Sequence, residues 1–325
     1  MRILVTGCAG FIGYHLCNKL LSNRKFIIYG IDNLNNYYDV SLKQNRLKNL
    51  LKLSTRFKFH KIDICNNNLL NKNFLKNKYD CVIHLAAQAG VRYSIKKPDV
   101  YLNSNVCGFF NILECCKNNK TKHLLFASTS SVYGSNKNFP LKEKSITDHP
   151  LSFYAATKKC NEIMAHSYSN IYQLPCTGLR FFTVYGPLGR PDMVLFKFTK
   201  AILENKKINL FNSGNHVRDF TYIDDVVDGI EKLIKKPPRS KIPYEIYNIG
   251  SNNPKHLKEF LKILENKLNI KAKIKYQPLQ LGDVHKTHAS MNKLNNKIKS
   301  KIKIDIEKGI EEFVSWYKEF YNIRK

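Results

Sequence analysis

Residues 2–13 read Arg2-Ile3-Leu4-Val5-Thr6-Gly7-Cys8-Ala9-Gly10-Phe11-Ile12-Gly13, and this stretch decides the fold. An apolar run of this length, closed by glycine, predicts a buried parallel strand over 2–6. The residues that follow predict a helix over 11–22, so the three glycines form the turn between them. Glycine permits a tight turn and lets backbone amides approach a bound group, and a helix N-terminus favours phosphate. Asp32 lies 19 residues beyond Gly13, at the end of the second predicted strand. A carboxylate there accepts hydrogen bonds from a ribose diol and repels a 2′-phosphate, which favours NAD over NADP. The plain alternative is an ordinary strand–turn–helix in which Asp32 only caps a turn.

Working outward, further strands are predicted over 26–32, 57–63, 81–85, 123–128 and 175–181, with helical stretches between most of them, notably 101–118. Alternating strands and helices imply an α/β chain with a Rossmann-type doubly wound parallel sheet. The pattern loosens after residue 186, where Gly186-Pro187-Leu188-Gly189-Arg190-Pro191 reads as a loop. Helices follow over 193–205, 256–268 and 305–322. The expected division is an NAD-binding domain over 1–186, to which part of the C-terminal half returns, and a smaller α/β substrate lobe mainly over 187–325. Further cofactor contacts are expected from Phe11 and Ile12 on the turn, from Asn33 beside Asp32, and from Asp63 and Ile64 after the third strand. Leu85, Ala86, Ala87 and Gln88 follow the fourth strand, where small side chains leave room for a cofactor. Asn105 completes the set.

Composition narrows the class. The chain has 325 residues, 43% of them hydrophobic, enough for a sizeable core. No apolar run is long enough to span a membrane, and the N-terminus lacks the apolar region of a signal peptide, so a cytoplasmic protein is expected. Nine cysteines, an odd number without a C-x-x-C pair, argue against disulfides and against a zinc site. The formal charge of +29 suggests nucleic acid as a partner. Of the 54 cations, however, 44 are lysines spread along the whole chain among asparagines. Compositional drift explains this better, and neither nucleic acid nor membrane is expected as a partner. Arginine is scarce, yet Arg92, Arg180, Arg190 and Arg218 all fall in patterned segments. Its planar fork grips phosphate or carboxylate through two parallel bonds.

Tyr154 and Lys158 form Y-x-x-x-K. A free phenol titrates near ~10, too high for a base at neutral pH. A lysine four residues on shares its helical face, and its charge would favour phenolate. Alone, the pair also fits a surface lysine and tyrosine. Ser128-Thr129-Ser130-Ser131, at the end of the fifth strand, adds hydroxyls at the carboxyl edge where such sheets bind ligands.

With Gly7 to Gly13, Thr129, Tyr154 and Lys158 in place, the chain resembles the extended short-chain dehydrogenase/reductases of the nucleotide-sugar epimerase and dehydratase group. Within that group its likeness is to the UDP-glucuronate 4-epimerase branch. The residues that carry it are Asp32 to Asn35 with Tyr37-Tyr38-Asp39, His84 to Ser94, Arg180 to Met193, Arg218 to Asp225 and Gly282-Asp283-Val284. The resemblance extends to about residue 320. It implies an NAD-dependent isomerase in which Tyr154 takes the proton of a sugar 4-hydroxyl, helped by Thr129, while hydride leaves C4 and returns to its other face. It implies that Thr183 and Arg190 hold the C6 carboxylate, that Arg218 faces the diphosphate, and that Arg92, Ser130, Ser131 and Asp283 line the substrate site. A UDP-sugar is the implied partner and a homodimer the implied assembly, paired through helices near 101–118 and 155–170. Leu281 stands where the family usually has proline. The sibling activities are 4-epimerisation of neutral or N-acetylated UDP-hexoses and decarboxylation of UDP-glucuronate. Outside the group, a basic nucleic-acid-binding protein or a redox-sensing NAD regulator would use the same fold.

Overall fold

The computed structural model describes residues 1–299 and 302–323. Its strands are β1 (Arg2–Thr6), β2 (Ile27–Asp32), β3 (Phe57–Lys61), β4 (Cys81–His84), β5 (His123–Thr129), β6 (Cys176–Phe181), β7 (Thr183–Tyr185), β8 (Lys207–Phe211), β9 (Val217–Tyr222), β10 (Tyr244–Ile249), β11 (Pro254–His256) and β12 (Lys273–Gln277). Seven of them form one sheet in the order β10-β6-β5-β4-β1-β2-β3. Every neighbouring pair in it is parallel.

The strands are buried on both faces, as the near-continuous apolar runs required. Successive side chains alternate across the sheet. Ile3 and Val5 of β1 join one core with Ile28, Ile83 and Leu125, while Leu4 joins a second with Val82, Leu124 and Phe126. The chain moves outward from β1 to β3 and then returns to β4 on the other side of β1. That reversal opens a crevice at the carboxyl edge. Both the glycine-rich turn after β1 and the small residues after β4 border it.

Two smaller sheets lie outside the main one. β7 pairs parallel to β9, with Thr183 opposite Phe220, and β9 pairs antiparallel to β11. β12 and β8 form a separate parallel pair. The helix Phe153–Tyr172 starts at Ser152, whose hydroxyl accepts from the Ala155 amide at 3.2 Å. This cap satisfies a free amide of the first turn. It also fixes where Tyr154 and Lys158 leave the helix.

One expectation changes. The predicted helix over 101–118 is not a single α-helix: Pro98–Tyr101 and Gly108–Asn118 flank a π-helical segment, Leu102–Cys107. Within it the Asn105 carbonyl accepts from Asn161 Nδ2 at 2.7 Å. Its side chain binds the backbone of Gln88 on both sides, accepting at 2.8 Å and donating at 3.0 Å. The wide turn places these groups sideways rather than along the helix. Periodicity of apolar residues does not resolve so local a change of pitch. Among the described residues, no helix is long and apolar enough to cross a membrane.

Candidate active site

The crevice is shaped by close backbone approach. Gly7 has φ +72°, and a Cβ there would sit 2.8 Å from the Ala86 amide nitrogen. A Cβ on Gly13 would come within 2.0 Å of the Gly7 carbonyl. No larger residue fits either position, so the turn stays open to a bound group. Asp32 accepts from the Leu34 amide at 2.8 Å and from the Ala9 amide at 3.1 Å. It therefore caps its own turn, as the plain alternative held, and also braces the glycine-rich turn. Burial pushes its carboxyl above the usual range, and those amides oppose the shift. Asn33 donates to Asp63 at 2.9 Å, tying the ends of β2 and β3 together. Ile64 and Gln88 are buried, while Ile12, Leu85, Ala86 and Ala87 are half-buried along the crevice. Phe11 is buried at the helix start. The glycine-rich turn, Asp32, Asp63 and Leu85 to Gln88 thus follow the carboxyl ends of neighbouring strands β1 to β4.

Tyr154 lies at the far end of that edge, its ring 6.0 Å from that of Tyr101. Burial pushes its phenol above the ordinary tyrosine value, while the Arg190 guanidinium and a hydrogen bond with Thr129 pull it down. Lys158 is buried and turns its ammonium to the Ala127 carbonyl at 3.0 Å. Burial lowers its pKa to about 8. Arg190, from a loop 36 residues later, lowers the Tyr154 phenol. Thr129 accepts from the Ser131 amide at 3.2 Å, which fixes its hydroxyl beside the phenol.

Ser130, Ser131, Ser152, Thr183, Arg218 and Asp283 line a cavity of ≈ 130 Å³. Thr183 also borders a small recess under Arg190. Arg218 donates to the carbonyls of Val217 and His285, at 3.1 and 3.0 Å. Burial lowers its pKa to about 10, with Asp283 opposing and Arg92 adding to the shift. Arg92 and Asp283 form an ion pair of 3.1 Å at the cavity rim. The predicted substrate residues are therefore brought together on the cavity and the adjoining recess.

Arg180 is the exception among the patterned arginines. Its guanidinium is buried and grips Glu162 through two bonds of 2.8 Å. Ser128 donates to the same carboxylate at 2.6 Å. Arg180 thus braces β5 and β6 beneath the site. His84 is a buried core histidine, bonded to Thr6 at 2.9 Å.

The structure gives partners to residues that the motifs contained without assigning them a role. Asp192 takes two bonds from Arg190, from Nε at 2.9 Å and Nη2 at 2.5 Å. Tyr37 donates to Asp192 at 3.2 Å. An acid two residues after a site arginine, in a chain with 25 acids against 54 bases, was the available signal. Among the described residues, no group of three or more His, Cys, Asp or Glu side chains is arranged to hold a metal.

Comparison with known proteins gives the same picture from outside. Residues 3–250 match the model of the NAD dependent epimerase/dehydratase family. The protein CapI of Staphylococcus aureus is 50% identical, over 99% of both chains. A probable UDP-glucuronate 4-epimerase of Rhizobium meliloti is 40% identical over 99% of this chain and 98% of its own. The crystal structure of a UDP-glucuronic acid 4-epimerase from Bacillus cereus, in complex with UDP-glucuronic acid and NAD, superposes with a TM-score of 0.93. It shares 34% identity over 99% of this chain and 100% of that one.

Proposed function

The chain belongs to the NAD dependent epimerase/dehydratase family, and we propose that within it the chain is a UDP-glucuronate 4-epimerase, interconverting UDP-glucuronate and UDP-galacturonate with bound NAD. The observation that carries this reading is the position of Arg190. Its guanidinium pulls down the Tyr154 phenol, and Arg190 lines a small recess with Thr183, which also borders the ≈ 130 Å³ cavity. A neutral hexose offers this cation no charge at C6, whereas a uronate does.

The roles follow from that placement. NAD, when bound, accepts a hydride from C4 of the sugar and gives it back. Tyr154 Oη takes the proton of the 4-hydroxyl and returns it to the new alcohol. Thr129 hydrogen-bonds the phenol and helps hold it in place. Lys158, fixed by the Ala127 carbonyl, sets a positive charge one helical turn beyond Tyr154. Asp32 and the turn Gly7 to Gly13 hold the adenosine half and the pyrophosphate of NAD. Asn33, Asp63, Ile64, Leu85 to Gln88 and Asn105 line the rest of its path. Arg218 faces the diphosphate of the sugar nucleotide, and Arg92 with Asp283 closes the rim.

Oxidation at C4 makes the C6 carboxylate part of a β-keto acid. Loss of CO2 would break the C5–C6 bond, leave its electron pair in an enolate over C5 and C4, and return a proton to C5. Arg190, Thr183, Ser130 and Ser131 hold the carboxylate so that the C5–C6 bond stays out of line with the ketone π system. Geometry fixed in this way decides which path is open. The division of labour is a cofactor domain over 1–186 and a substrate lobe mainly over 187–325, with β10 completing the first.

The assembly is a homodimer. Leu102 (48%), Phe110 (46%) and Ile163 (59%) are exposed on the helices over 98–118 and 153–172, a face that a second copy would cover. All nine cysteines are free thiols. That suits a reducing compartment, and we assign the reaction to the cytoplasm. The reading is tested by incubating the purified protein with UDP-glucuronate and resolving the C4 epimers from pentoses. UDP-galacturonate is expected as the main product; turnover of UDP-glucose alone would overturn the assignment.

A further inference from the structure

Arg46 is an arginine with 0% exposure and, among the described residues, no ion-paired carboxylate. It lies on the helix Val40–Leu53, in a Lys- and Asn-rich stretch that reads as a surface face. Instead it points inward and spans two functional loops. Nη1 donates to the Ala9 carbonyl at 2.9 Å, on the glycine-rich turn, and to the Tyr38 hydroxyl at 2.8 Å. Nη2 donates to the Leu188 carbonyl at 2.6 Å and the Gly189 carbonyl at 3.2 Å. The next residue is Arg190.

The loop needs such a hold. Leu188 has φ +53°, the left-handed region that a branched side chain disfavours. Pro187 is held as well, its carbonyl accepting from His15 Nε2 at 2.9 Å. Three successive carbonyls before Arg190 are thus bound by side chains from the cofactor side of the molecule. A lysine could not replace this: its ammonium is a point donor and cannot bridge two loops as a planar fork does.

We infer that Arg46 is a positioning residue for the uronate carboxylate, holding the Leu188–Gly189 backbone to the glycine-rich turn so that Arg190 meets the carboxylate at the angle that suppresses loss of CO2. The inference rests on the epimerase reading above. Arg46 touches neither sugar nor cofactor in this role; it acts through Arg190.

The test is a double-mutant cycle read as the ratio of pentose to 4-epimer made from UDP-glucuronate. Arg46→Lys is expected to raise that ratio about fivefold, in the range measured for coupled neighbours. In an Arg190→Ala background it should add nothing, because the group it positions is gone. A residue that only stabilised the fold would act equally in both backgrounds. If Arg46→Lys fails to fold, His15→Phe keeps the ring packing and removes the Pro187 bond; a rise of about twofold, again absent beside Arg190→Ala, is expected. A parental ratio in the single variant, or effects that multiply in the double, would overturn the inference. A parent protein that makes no 4-epimer would instead bring down the epimerase reading, and this inference with it.

Discussion

Arg180 and Arg190 stand ten residues apart and do the same thing in different surroundings. Each grips a carboxylate through two parallel bonds, Arg180 to Glu162 and Arg190 to Asp192. The Arg180 pair is sealed, with both side chains 3% exposed; the Arg190 pair is 21% and 24% exposed. Arg180 also donates Nη1 to the Glu143 carbonyl at 3.1 Å and lies 4.8 Å over the Tyr133 ring. Every edge of that guanidinium is used. Nη1 of Arg190 has no protein acceptor among the described residues, and the recess beside it is shared with Thr183. Saturation and burial, rather than residue type, separate the brace from the site group. Charge follows the same rule. Burial pulls the pKa of each arginine down, yet its paired carboxylate holds it above its usual value.

If that separation is real, variants should split into those that lose chemistry and those that lose the fold. Tyr154→Phe sets the scale for chemistry. It removes one hydroxyl that accepts and returns a proton, and such groups contribute roughly 10²–10⁴-fold. We expect kcat to fall by about 10³-fold with the melting temperature unchanged. A fall under about tenfold would move the proton to another group. Glu162→Gln sets the scale for the fold. It leaves Arg180 buried beside a neutral amide, which costs about 3–5 kcal/mol in denaturant unfolding. A loss under about 1 kcal/mol would show that the sealed pair is not a brace.

Lys158 extends the comparison to a buried cation with no carboxylate. Its pKa falls to about 8 from 10.5, because burial disfavours the charge and only a carbonyl answers it. Between those two values the unfolded chain keeps a proton that the folded chain has released. Stability therefore rises with pH across that window. The rise is worth about 3 kcal/mol at most. Unfolding of the parent and of Lys158→Met, compared at several pH values, should give a parent-minus-variant difference that rises with pH across that window. Equal slopes would mean that Lys158 stays charged. Arg190→Ala should fall lower on the scale for stability but reach the product. Losing a hydrogen bond to a charged group costs about 1.5–3 kcal/mol. We expect the pentose share to grow by about tenfold or more, with a melting temperature lowered by roughly 2–5 °C. Unchanged products would return the carboxylate to other groups.

The same contrast explains what could be read before the structure. The parallel sheet was legible because buried strands leave apolar runs and glycines mark the turn after β1. Tyr154, Lys158, Thr129 and the glycines follow local spacing, and a helix face or a strand end carries them wherever the chain goes. Arg180 was not legible as a brace. Its partner Glu162 lies on a helix 18 residues earlier, and only the sheet brings them together. The charge that Arg190 adds near Tyr154 was not legible for the same reason: Lys158 shares its helix, while Arg190 arrives from a loop. The π-helical segment was hidden because Asn105 widens the helix through contacts to Gln88 and Asn161, which periodicity does not record.

The weakest effect closes the series at its exposed end. Lys255 and Glu259 pair at 2.9 Å, about the distance found in the two arginine pairs, with side chains 28% and 46% exposed. Distance alone would predict a contribution like that of Arg180. Water screens the charges, however, and holding two long side chains in one geometry costs entropy, so exposed pairs contribute about 0.2–1 kcal/mol. Lysine is the partner to change, because Glu259 also lies in the first turn of the helix Leu257–Leu268, where its charge is favourable by itself. We expect Lys255→Met to lower unfolding free energy by about 0.5 kcal/mol or less, and the difference to shrink toward zero near ~1 M salt. A loss of about 2 kcal/mol that persists in salt would mean that burial does not rank these pairs, and the contrast between Arg180 and Arg190 would then need another cause.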